Sequence, residues 1–137
     1  MEQLNVMVVE DEPTMRQLLR DMLYRVGASR VVECEDATTG LAAFGREPFH
    51  IVMLDLGLPD RDGHELMQDI KSANPRQHVV LVTADDSIES IQKAISAGAN
   101  GYVVKPYSQE KIQDVVNNYM MVHGVDDGIV RNMQHNP

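Results

Sequence analysis

Residues 50–62 read HIVMLDLGLPDRD, and the order of characters in that stretch decides how the chain folds. Residues 51–54 form an apolar run with no polar alternation, which suits a strand buried on both faces. The run ends in one carboxylate, Asp55, and the chain then turns through Gly57, Pro59 and Gly63. An ionised carboxylate next to an apolar run is costly unless something pairs with it or binds it. Asp55 is therefore a candidate functional group rather than loop filler.

The same signature recurs on either side. Residues 6–9 are apolar and end abruptly in Glu10, Asp11 and Glu12. Pro13 then suits a first helical turn, and Met15, Leu18, Leu19, Met22, Leu23 and Val26 follow at helical spacing up to Gly27. A second strand is predicted from Val31 to about Cys34. Asp36 then caps a helix carrying Leu41 and Phe44 inward, although Thr38, Thr39 and Gly40 are poor helix formers. After the quoted stretch, Leu66, Ile70 and Ala73 mark a helix that Asn74 and Pro75 end. Residues 78–82 make a fourth strand closing on Thr83. Asp86 and Glu89 resemble a capping box for a helix whose face is Ile88, Ile91 and Ile95. Residues 101–104 form a fifth strand ending in Lys105, and a last helix from about Ser108 shows Ile112, Val115, Val116, Tyr119 and Met120 on one side.

Five apolar strands alternating with five helices predict an α/β fold, a doubly wound parallel sheet of flavodoxin-like winding. In such a sheet ligands gather beyond the carboxyl ends of the strands. The residues falling there are Glu10 and Asp11, Asp55, Thr83 and Lys105. Two carboxylates about 4 Å apart repel by roughly 4 kcal/mol at an effective dielectric near 20, so a cluster of three demands a cation. Magnesium suits such a cluster, since it accepts carboxylates while keeping waters for a phosphate. Asp55 then reads as a nucleophile, with Thr83 and Lys105 gripping the transferred oxygens.

The bulk properties set limits. A chain of 137 residues is one domain. A net charge of −9 without clustered Lys or Arg argues against direct nucleic-acid binding. Cys34 is read as a buried thiol, and the five histidines, without metal-ligand spacing, as surface or strand-edge residues. The methionines are read as filler at core-facing helical positions. Asp60, Arg61 and Asp62 read as a solvated loop. The beginning, MEQLNVMVVEDE, shows no signal-peptide pattern, and no stretch approaches the ~18 apolar residues of a membrane span. A cytoplasmic location is expected.

From about Leu4 to His123 the chain resembles a receiver domain of a bacterial response regulator, in the chemotaxis-regulator-like, single-domain form. The resemblance is carried by the acidic pair in MVVEDEPTMRQLL, the acceptor in VMLDLGLPDRDG, the hydroxyl in VVLVTAD and the lysine and proline in AGANGYVVKPY. It implies that Asp55 is phosphorylated by a histidine kinase or phosphotransfer protein, and that Glu10, Asp11, Asp55 and the Gly57 backbone carbonyl hold Mg2+. It also implies that Thr83 and Lys105 contact the phosphoryl group, that Tyr102 is an aromatic switch coupled to Thr83, and that the peptide between Lys105 and Pro106 is cis. Glu12 is expected to cap a helix or face water.

Two departures stand out: Glu10 where Asp is also frequent, and Gly57 where a side chain often bears on the hydrolytic water. Asp85 is expected to steer that water instead. The implied domain organisation is a receiver unit over residues 1–123 and a polar tail over 124–137, with Ile129, Val130 and Met133 able to begin a linker helix. Output is expected through the face of the fourth helix, fifth strand and fifth helix, including Glu89, Gln92, Lys93 and Ser96. That face would bind a downstream protein or a second copy of the chain. A haloacid-dehalogenase-like phosphatase is disfavoured because Gly57 stands where its general acid belongs, and a flavin domain because Glu10, Asp11 and Glu12 would repel its phosphate. The remaining alternative is an unphosphorylated, receiver-like docking module.

Overall fold

The computed structural model describes residues 3–127. Its elements alternate without exception: β1 (Asn5–Val9), α1 (Pro13–Arg25), β2 (Arg30–Cys34), α2 (Ala37–Arg46), β3 (Ile51–Asp55), α3 (Gly63–Ala73), β4 (His78–Thr83), α4 (Ile88–Ser96), β5 (Gly101–Val104) and α5 (Gln109–Asp127). The sheet is parallel throughout, in the order β2-β1-β3-β4-β5. The predicted doubly wound architecture is the one observed.

Burial explains which strands lie inside. Every residue of β3 is buried, as are Val6 to Val9 of β1 and all of β4 before Thr83, whereas the edge strands β2 and β5 are largely half-exposed. Alternate residues of the central strands feed two cores. Val6, Val8, Ile51, Met53, Val80 and Val82 meet α1 and α5, while Met7, Val9, Val52, Leu54, Val79 and Leu81 meet α2, α3 and α4. Met7 and Met53 thus fill the core from strands rather than from helices.

Local signals at the helix ends act largely as expected. Glu12 caps α1, its carboxylate accepting from the Met15 amide at 2.6 Å, and Pro13 opens the helix. Gly27 and Gly98, at φ near +108° and +107°, take the left-handed conformation that ends α1 and α4. Thr39, a poor helix former, completes a capping box with Asp36 that starts α2.

Several expectations are corrected. Ser87, not Asp86, caps α4 by accepting from the Ser90 amide. Leu18 and Ala73 lie outside the buried stripes of α1 and α3. On α4 the buried residue is Ala94, while Ile88 and Ile95 are 69% and 52% exposed. Asp60, Asp62 and Arg61 are all engaged. Asp60 accepts from the Ala37 and Thr38 amides at the start of α2, Asp62 caps α3, and Arg61 pairs with Asp69 at 2.7 Å. His78 is 1% exposed and packs edge-on against Tyr119 and His123. Its Nδ1 lies 3.1 Å from His123 Nε2.

Helix α5 continues to Asp127 and so includes the first four residues of the segment read as a tail. The rest of that segment, including Ile129, Val130 and Met133, lies outside the described residues. Among the described residues no helix is long and apolar enough to cross a membrane.

Candidate functional site

Strand order reverses between β1 and β3, because the chain leaves β1 for β2 on one side and then crosses to β3 on the other. Glu10 follows β1 and Asp55 ends β3, so both carboxylates open into the crevice at this switch point. Oxygens of Glu10, Asp11 and Asp55 all lie within 4.8 Å of one another. Glu10 is 1% exposed and Asp55 is buried, whereas Asp11 is exposed at the rim.

Lys105 reaches this cluster from the end of β5. Its ammonium donates to Asp55 Oδ2 at 2.8 Å and lies 2.7 Å from Glu10 Oε1. The peptide between Lys105 and Pro106 is cis, as the resemblance implied. Asp55 Oδ1 accepts from the Gly57 amide at 2.8 Å, so both acceptor oxygens have fixed partners. Tyr107 donates to Glu10 Oε1 at 3.0 Å.

The charges respond to this crowding. Burial, together with the neighbouring Asp55 carboxylate, pushes the Glu10 carboxyl up to about 7. Burial also disfavours ionised Asp55, but the neighbouring Glu10 carboxyl, Lys105 and the Gly57 amide outweigh it and hold Asp55 below its ordinary value. For Lys105, burial is likewise outweighed by Asp55 and Glu10, and its ammonium is strengthened. One cation among three carboxylates leaves excess negative charge. The all-oxygen donor set in a half-buried crevice fits a hard divalent ion such as magnesium.

Thr83 ends β4, one register step beyond Val82, the strand partner of Asp55. Its hydroxyl accepts from the Asp85 amide at 3.2 Å. The Asp85 carboxylate accepts from the Ser87 amide and is bonded to the Ser90 hydroxyl, which ties it to the first turn of α4. Tyr102 lies against the core, and its hydroxyl donates to the Asp85 carbonyl at 2.7 Å. Glu10, Asp11 and Asp55 are therefore in direct reach of one another, and Lys105 of Glu10 and Asp55. Thr83 and Tyr102 meet through the loop at Asp85.

The profile described as response regulator receiver domain matches residues 6–117. The chain belongs to this family. As a receiver domain it is a signalling module of two-component systems rather than a classical enzyme, and it carries the acidic pocket Glu10, Asp11 and Asp55. It is 29% identical over 113 residues to the chemotaxis protein CheY-3 of Vibrio cholerae, covering 81% of this chain and 87% of that protein. It is 34% identical over 107 residues to the probable transcriptional regulatory protein TcrX of Mycobacterium tuberculosis, covering 78% of this chain and 45% of that one. Among solved structures, the BeF3-activated DrrB receiver domain superposes with a TM-score of 0.78 at 31% identity, covering 88% of this receiver and 99% of that chain.

Tyr107 is the site residue that sequence reading missed. Its position directly after the Lys105–Pro106 pair was the available signal, but nothing local links it to Glu10, 97 residues away.

Proposed function

We propose that Asp55 is the phosphoacceptor of this receiver and that its phosphorylation switches the face built by α4, β5 and α5. The observation that carries the reading is the convergence of Glu10, Asp11 and Asp55 within 4.8 Å, with Lys105 bonded to the acceptor. A carboxylate oxygen of Asp55 attacks the phosphorus of a phosphohistidine on a histidine kinase or phosphotransfer protein. The P–N bond breaks, an acyl phosphate O–P bond forms, and the departing imidazole nitrogen takes a proton. Magnesium, held by Glu10, Asp11, Asp55 and the Gly57 carbonyl, would neutralise the phosphoryl oxygens against these carboxylates.

The chain's own residues supply the rest. The Gly57 amide orients Asp55, and Lys105 is already at the acceptor, placed to pair with a phosphoryl oxygen. The Thr83 hydroxyl accepts from the Asp85 amide and keeps its own proton to donate, so moving to grip another such oxygen draws that amide along with it. That movement pulls on the loop to which the Tyr102 hydroxyl is bonded. The new charge thereby biases a pre-existing equilibrium of the β4–α4 loop. Glu89, Gln92, Lys93 and Ser96 are exposed on α4 beside Ile88 and Ile95, which supports a docking face for a downstream protein or for a second copy of the chain. Similarity to a receiver activated by BeF3, a chemical analogue of a phosphoryl group, supports the same reading. We take the receiver unit to span residues 1–123 and to act in the cytoplasm.

The test is incubation with acetyl phosphate and Mg2+, followed by intact-mass measurement. Wild type gains one phosphoryl mass, and Asp55→Asn gains none. A wild type that gains none is a docking module, and the proposal is wrong.

A further inference from the structure

Glu10 is held from three directions. Its amide donates to the Cys34 carbonyl at 3.0 Å, its carbonyl accepts from Arg16 Nη1 at 2.8 Å, and its Oε1 sits between Lys105 at 2.7 Å and Tyr107 at 3.0 Å. The two side-chain partners differ in kind. Lys105 is long and shared with Asp55, whereas the ring of Tyr107 is buried in the core beside Ile112 and Val116 and has no freedom to follow a ligand. When Lys105 is drawn to a phosphoryl group, Glu10 Oε1 keeps Tyr107 as its remaining donor, while Oε2 accepts a long bond from the Glu12 amide at 3.4 Å. A buried carboxylate oxygen left without a donor is costly and would turn away from its place.

We infer that Tyr107 is a positioning residue for the cation site: its hydroxyl holds the Glu10 carboxylate in place while Lys105 changes partner. The inference rests on the magnesium reading of the preceding subsection. It also explains why glutamate serves at position 10. An aspartate there would draw the carboxylate back by one C–C bond, about 1.5 Å, beyond hydrogen-bonding reach of the phenol. The length of Glu10 and the hydroxyl of Tyr107 form a matched pair, although neither is required by the other elsewhere in the chain.

The experiment is calorimetric titration of the full chain with MgCl2, in beryllofluoride as the phosphoryl stand-in that draws Lys105 away, for wild type, Tyr107→Phe, Glu10→Asp and the double variant. Thermal melts without Mg2+ accompany it, to register any general loosening. Loss of a hydrogen bond to a charged group corresponds to a rise in dissociation constant of roughly ten-fold for Tyr107→Phe. Because Glu10→Asp already breaks the same bond, adding Tyr107→Phe to it changes affinity by less than about two-fold. A general structural role would instead make the two effects multiply. Wild type that binds Mg2+ with Tyr107→Phe indistinguishable from it, or fully multiplicative effects, overturns the inference and leaves the magnesium reading standing. Wild type that binds no Mg2+ overturns both.

Discussion

A methyl group on Gly63 would stand 2.5 Å from the carbonyl oxygen of Asp55. The next atom it would meet is Leu56 Cα at 2.6 Å, and the Gly63 amide donates to the Leu56 carbonyl at 3.1 Å. The first turn of α3 is thus clamped directly onto the backbone that carries the acceptor. Gly63→Ala must push that backbone aside, and overpacking of this kind costs about 1–3 kcal/mol. A lower urea midpoint with a slower gain of phosphoryl mass is expected. An unchanged midpoint would show that the loop has slack which the geometry denies.

Glu10→Gln is expected to stabilise the protein in the absence of divalent ions. Three carboxylates within 4.8 Å share one ammonium, and burial beside Asp55 makes Glu10 the one whose ionisation is disfavoured, so removing its charge relieves repulsion while an amide oxygen still accepts from the Tyr107 hydroxyl. A gain on the order of 1 kcal/mol is expected from urea unfolding in EDTA, the usual trade between a strained site and stability. Added Mg2+ should stabilise wild type more than the variant. A variant less stable than wild type in EDTA would mean that the Lys105 pair outweighs the repulsion.

The central strands were legible because they are buried on both faces. Residues 6–9 and 51–54 carry no polar alternation, and the first polar residue after each marks the rim where the site lies. What stayed hidden was set by partners far along the chain. Asp60 looks like a solvated loop acid, but it caps a helix that begins 23 residues earlier. His78 looks like a strand-edge polar residue, but Tyr119 and His123 of α5 cover it. Ile88, Ile91 and Ile95 have the right period for a core face, yet periodicity does not say which neighbour covers that face. The sheet meets α4 at Ala94 instead.

That exposure makes Ile95 distinguishable from a core isoleucine. Ile95→Ser is expected to leave stability within about 0.5 kcal/mol, as for surface changes generally. Ile70→Ala, at a fully buried position on α3, is expected to cost about 2–5 kcal/mol. Parallel urea titrations compare them. A loss at Ile95 approaching that at Ile70 would show that α4 packs more deeply in solution, and would remove the exposed apolar part of the proposed docking face.

At the opposite end of the sheet, His78 gives a pH dependence of definite sign. Burial, with smaller contributions from His123 and Lys71, lowers its imidazole from 6.5 to about 4. The unfolded chain takes up a proton near 6.5 while the folded chain does not, so between about 4 and 6.5 the unfolded state binds more protons. His78 therefore contributes stability that is fully present above 6.5 and is lost as pH falls through that window. Its full extent is about 3 kcal/mol. His50 and His123 share the Tyr119 ring with it, so the site-specific measurement is an NMR titration of the His78 Cε1 proton. The imidazole is expected to stay neutral at pH 5.5, where an exposed histidine is mostly charged. A midpoint near 6.5 would mean that water reaches the ring, and that α5 does not seal the lower edge of the sheet.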